Sequence, residues 1–156
     1  MKADLVEQYA AGADRMTQAI AGLSRDDLAA LPVPGTWSIQ QIVLHLMDSD
    51  LISSDRMKRV IAEENPTLIG FDETAFARGL FYEALDAGLA ADIFAKNRRL
   101  TAEILRRVPD EAFDRFGTHS ERGRVTLTQL VHGMVDHLEH HLRFLRDKRR
   151  LLGKPL

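Results

Sequence analysis

Apolar residues fall at Leu5, Tyr9, Ala13, Met16, Ile20 and Leu23 in steps of three and four, a spacing that predicts one first helix with a single buried stripe. A short turn of helix follows Ser24 and Asp27, and the two prolines and glycine of Leu31-Pro-Val-Pro-Gly-Thr-Trp37 then force the chain to turn. Ser38 and Gln41 form a capping box ahead of Ile39, Ile42, Val43, Leu46, Met57, Val60 and Ile61, which predicts a second helix from about residue 39 to 64, ended by Asn65-Pro66. Residues 67 to 80 read as a long connection with a turn of helix after Asp72. A third helix spans 85 to 108 through Leu89, Ile93, Leu100, Ile104, Leu105 and Val108, and Pro109 stops it. After one more helical turn, Thr126 and Gln129 repeat the capping-box spacing and open a fourth long helix that runs to about Arg150. Nothing alternates with a period of two for long enough to predict a strand. The expectation is therefore an all-α four-helix bundle with a long crossover connection.

Winding the last helix at 100° per residue gathers Leu127, Leu130, Val131, Met134, Leu138 and Leu145 on the core side. His141 then lies about 40° and His137 about 80° from that direction on the same side, while His132 and His140 fall about 140° away and should face solvent. Four residues is slightly more than one turn, so His137 and His141 can reach a common point and offer two imidazoles to one metal ion. Metal sites that do chemistry usually take three protein ligands, and His45 is the candidate for the third. Its wheel position is a flank about 120° from the stripe centre, although Leu44, Leu51 and Ile52 make that half of the helix apolar around much of its circumference. Asp48 could orient its imidazole, with a surface aspartate as the blander reading. The chain lacks Glu-x-x-His pairs, His-Glu-x-x-His, the Gly-x-x-x-x-Gly-Lys loop and Gly-x-Ser-x-Gly, which leaves a mononuclear site.

Composition narrows the function classes further. With 156 residues, a single domain over 1–156 is the expectation, and 45% hydrophobic and 28% charged residues are ordinary for a globular protein. A formal charge of −2 gives no reason to expect nucleic acid, and the locally basic tail 143–154 reads as a solvated helix end. Arg98 and Arg99 could bind an anionic cosubstrate, but solvated surface arginines are the expected reading. No run is long enough for a membrane span and the N-terminus lacks the apolar core of a signal peptide, so a cytoplasmic location is expected. The absence of cysteine excludes thiolate ligands and cysteine nucleophiles, so any thiol must arrive as a cosubstrate.

Trp37-Ser38 opening a helix, His45-Leu46 seven residues into it, Asp48 beyond, Phe71-Asp-Glu-Thr-Ala-Phe76 in the long connection and His137-x-x-His140-His141 on the last helix together resemble the DinB/YfiT-like superfamily. The resemblance implies a four-helix bundle with a long crossover and a divalent metal, nickel or zinc, on His45, His137 and His141. It also implies a homodimer, with His140 repeating histidine without being a ligand. It further implies either a thiol-dependent transferase acting on a small electrophile, which is the favoured expectation, or a metal-dependent hydrolase. A non-catalytic bundle with a structural metal, acting as a ligand-binding or stress-response protein, is the third reading. Asp48, His140 and Glu139 are available as general bases, and none is singled out.

Overall fold

The structure, a computed structural model, describes residues 2–156. Seven α-helices and a small sheet follow in the order α1 (Lys2–Ala11), α2 (Arg15–Ile20), α3 (Arg25–Ala29), α4 (Ile39–Ala62), β1 (Thr67–Leu68), α5 (Glu73–Gly79), α6 (Ala87–Arg107), β2 (Phe116–His119), β3 (Gly123–Thr126) and α7 (Leu127–Leu151). The bundle has α1/α2, α4, α6 and α7 at its corners. Both α1 and α4 pack against α6 and α7, so the first and second long segments stand diagonally opposite each other. The chain reaches the diagonal position through α3 and the turn over residues 32–37, which join α2 to α4, whereas the β1–α5 connection joins two neighbours, α4 and α6.

The caps act where the side-chain spacing places them. Ser38 Oγ accepts the Gln41 N–H at 3.1 Å while Gln41 returns a bond to the Ser38 N–H, and Thr126 and Gln129 do the same for α7. Asp72 caps α5, as the turn expected there requires.

Several expectations are corrected. The first helix breaks after Ala11, where Gly12 passes against the Arg98 guanidinium; a Cβ there would collide with it, and α2 resumes at Arg15. In α6 the buried face is Ala87, Ala90, Ala91, Phe94, Ala95, Arg98, Ala102 and Leu105, whereas Leu89 and Leu100 are 60% and 61% exposed. Alanines let α4 and α6 approach closely, and a pattern read from large residues alone selects the wrong side. The strands were not expected, since two- and four-residue pieces are too short to show alternation. β1 runs parallel to β2 with Thr67 opposite Thr118, and β2 pairs antiparallel with β3. Gly117 is required there, because a Cβ would sit 2.8 Å from the Pro66 carbonyl oxygen. Finally, the basic tail is not simply solvated. Arg149 is buried and donates to the carbonyls of Ala19 and Ala21 at 2.9 and 3.0 Å, satisfying the acceptors left open at the end of α2.

Arg98 is the largest side chain that is fully buried, not a surface arginine or an anion-binding one. Its Nε donates to Asp50 Oδ1 at 2.8 Å and Nη2 to the Met134 carbonyl at 2.7 Å, and it stacks between the Tyr9 and Phe94 rings, each centroid 4.6 Å away. It thereby ties α1, α4, α6 and α7 together where two apolar clusters meet, one around Val43, Phe94 and Leu142, the other around Tyr9, Met57 and Val131. Arg99 does lie on the surface, paired with Asp14. No helix of the described residues is long and apolar enough to cross a membrane.

Candidate metal centre

The capping box at Ser38 sets the phase of α4 and the one at Thr126 sets that of α7, and α4 packs along α7. Six residues past Ile39, this phase points His45 at α7, where it is 1% exposed despite its flank position on the wheel. His137 and His141, one turn apart on α7, face it. One ring nitrogen from each histidine lies within 4.8 Å of the others, and His45 Nε2 is 3.0 Å from His137 Nε2. Trp37 packs its ring on His45 with centroids 4.9 Å apart, which explains why the tryptophan sits beside the cap.

His132 and His140 are both exposed, as the wheel predicts. His132 pairs with Asp136 one turn on, and His140 stacks edge-on against Phe144. Neither joins the triad. Asp48 does not orient His45: it accepts the Tyr82 hydroxyl instead. Ser49, one position further and so nearer to directly above His45, places its Oγ 3.5 Å from Nδ1. That leaves Nε2 of His45 directed at the other two rings. Glu139 is engaged with Arg15.

The donor set fits a divalent ion. Burial, together with the neighbouring imidazoles His137 and His141, holds His45 down to about 3. Burial, then His141, Arg98 and His140, brings His137 to about 4, and burial and His140 do the same for His141. All three rings are neutral at pH 7 and present lone pairs. Ligands at about 2.0–2.1 Å in a tetrahedron stand roughly 3.3 Å apart, a spacing the 3.0 Å contact needs little adjustment to reach. Three neutral nitrogens suit zinc or nickel and leave a position free. His137 Nδ1 is buried without a hydrogen-bond partner.

These depressed values carry a stability consequence for the metal-free protein. An unfolded imidazole titrates near 6.5, so between pH 6.5 and about 4 the unfolded chain takes up protons that the folded triad refuses. Stability is full above pH 6.5 and falls as the pH drops through that window. At pH 5 the fully buried His45 alone should account for about 2 kcal/mol, and the partly exposed His137 and His141 for less. Urea unfolding at pH 7.5 and 5.0 should show this loss, and His45→Gln should flatten it. A slope that the variant leaves unchanged would count against the assignment.

Two cavities meet the triad. A polar cleft of about 280 Å³ between α4, α7 and the sheet is lined by His45, Ser49, Arg56, Glu73, His119, Arg122 and His137. An apolar pocket of about 350 Å³, lined by Val33, Trp37, Ile42 and Phe144, opens at His141. Glu73 reaches the mouth of the site from the first turn of α5, its Oε2 3.6 Å from His45 Nε2. Sequence reasoning missed Glu73, Ser49 and the cleft. Glu73 lies within the Phe71–Phe76 segment of the resemblance, but no spacing rule relates a residue of the α4–α6 connection to a helix that precedes it.

Such a bundle, with its first two long segments diagonal and three histidines converging between α4 and α7, defines the class of protein. The DinB superfamily model matches residues 8–145, and the chain belongs to that superfamily. Among curated relatives, "Putative metal-dependent hydrolase YfiT" of Bacillus subtilis (strain 168) is 28% identical over 141 residues, 89% of this chain and 79% of that protein. "Putative metal-dependent hydrolase OB0413" of Oceanobacillus iheyensis is 26% identical over 138 residues, 85% of this chain and 76% of that protein. The solved structure of YfiT from Bacillus subtilis, described as a probable metal-dependent hydrolase with an unusual four-helix bundle topology, superposes with a TM-score of 0.90 at 24% identity. That match covers 97% of this chain and 87% of YfiT and supports the fold.

Proposed function

We propose that this protein is a metal-dependent enzyme in which His45, His137 and His141 hold one divalent ion, zinc or nickel, beside a cleft that admits a small-molecule substrate. The convergence of three neutral, largely buried imidazoles at one end of an open polar cleft carries the reading. An ion held by three neutral ligands keeps its full positive charge and favours the deprotonated form of a water or thiol bound beside it. The rest falls to the chain's own residues. Ser49 steadies the His45 ring, Trp37 shields it from solvent, and Glu73, with its carboxylate at the cleft mouth, takes the proton released by the nucleophile.

Hydrolysis is the reading favoured by Glu73 and by the names of the curated relatives. Thiol transfer is the second, supported by the paired cavities, which would seat a polar nucleophile on one side of the triad and an apolar electrophile on the other. Assays of metal-loaded protein on activated esters and amides, and on alkyl and aryl electrophiles with and without a thiol panel, separate the two. Turnover without thiol supports hydrolysis, and strictly thiol-dependent turnover supports transfer. Glu73→Gln should keep its metal and lose about 100-fold in kcat. Full activity in that variant would remove Glu73 from the mechanism, and no turnover in any assay would leave the metal a structural role.

A further inference from the structure

The polar cleft carries charge that the metal chemistry does not use. Arg56 on α4 and Arg122 on the β2–β3 turn both line it, with the Glu121 carboxylate near Arg56 and no direct ion pair to either guanidinium among the described residues. Arg56 gives one N–H to the Ile69 carbonyl, while its Nε is buried without a partner. His119 at the end of β2, 5% exposed, lines the same cleft. Its Nδ1 accepts the Glu121 N–H at 3.1 Å, so the proton of the neutral ring sits on Nε2, which has no hydrogen bond among the described residues. Burial, Arg56 and Arg122 hold this imidazole below its usual range against the opposing pull of Glu121. Two guanidinium groups and an N–H donor thus line one small cavity beside Glu121, a donor set that can take a carboxylate.

We propose that Arg56, Arg122 and the His119 Nε2–H form a carboxylate-binding subsite, so that the substrate is a small organic acid whose reacting end lies toward the histidine triad. Glu73 and Glu121 line the same cleft and oppose a dianion, which favours a singly charged carboxylate over a phosphate. The direction of the reacting end rests on the metal-site reading above; the subsite itself does not.

The test is an amide-shift NMR titration of metal-free protein with propanoate, with its neutral counterpart propanamide, and with inorganic phosphate. Propanoate should shift the backbone signals of Gly70 and Ser120–Gly123 and bind about tenfold more tightly than propanamide. Arg122→Ala, an exposed turn substitution, should remove that preference, and Arg122→Lys should restore part of it. Equal binding of acid and amide, or an unchanged preference in Arg122→Ala, overturns the subsite; tighter phosphate binding overturns the carboxylate assignment. Metal content is measured separately in the same preparations. A protein that takes up no metal but still discriminates acid from amide disproves the metal centre and leaves the subsite standing.

Discussion

Alanine at His45 or His137 is expected to strip the protein of its divalent metal. Each ring supplies one of only three converging nitrogens, and the two remaining imidazoles would have to hold the ion with water filling the gap. Removing even a hydrogen-bonded outer partner of a metal ligand costs roughly 10–100-fold in affinity, so loss of a ligand should cost at least about 100-fold. Elemental analysis of tag-free protein should give one equivalent of zinc or nickel in the parent and none in either variant. His132→Ala and His140→Ala should retain it, because both side chains point to solvent. Ser49→Ala should fall between, weakening the site without emptying it. Equal metal content in the parent and His137→Ala, or a metal-free parent, would refute the site.

Arg98→Ala should be the most damaging substitution away from the histidines, destabilising the fold by about 3–5 kcal/mol. The change leaves Asp50, 0% exposed, as a buried charge whose remaining partner is the Asn97 amide, at 2.8 Å. It also frees the bond to the Met134 carbonyl and empties the space between the Tyr9 and Phe94 rings. Urea denaturation measures the loss. Replacing the pair together, as Asp50→Leu with Arg98→Met, should recover much of it, since the penalty arises from an unpartnered charge rather than from lost attraction alone. A cost below about 1 kcal/mol for Arg98→Ala would mean that water reaches Asp50 and the core is looser than the packing shows.

Arg98 also marks a limit of reading the chain as letters. On the wheel it shares its face with alanines, and alanine says little about direction, while Leu89, Ile93 and Leu100 speak strongly for the side that proves exposed. Its burial depends on Asp50 from α4 and on Gly12, whose lack of a side chain makes room for the guanidinium. Neither lies within the window in which a helical period can be counted. Asp48 and Ser49 show the same limit at the site: both lie one turn beyond His45, and only the placement of Tyr82 decides that Asp48 turns away.

Local chemistry by itself determined where the long helices begin, through the Ser38–Gln41 and Thr126–Gln129 boxes, and which two of the four histidines on α7 look inward. Those features depend on residues three or four apart, whose geometry a single helix dictates. Tertiary structure alone turned the flank position of His45 into a buried one, brought Glu73 from the α4–α6 connection to the triad, and set Arg56, Arg122 and His119 around one cleft. Each of these pairs groups from different elements, and the diagonal packing of the bundle, not any spacing along the chain, fixes the distances between them.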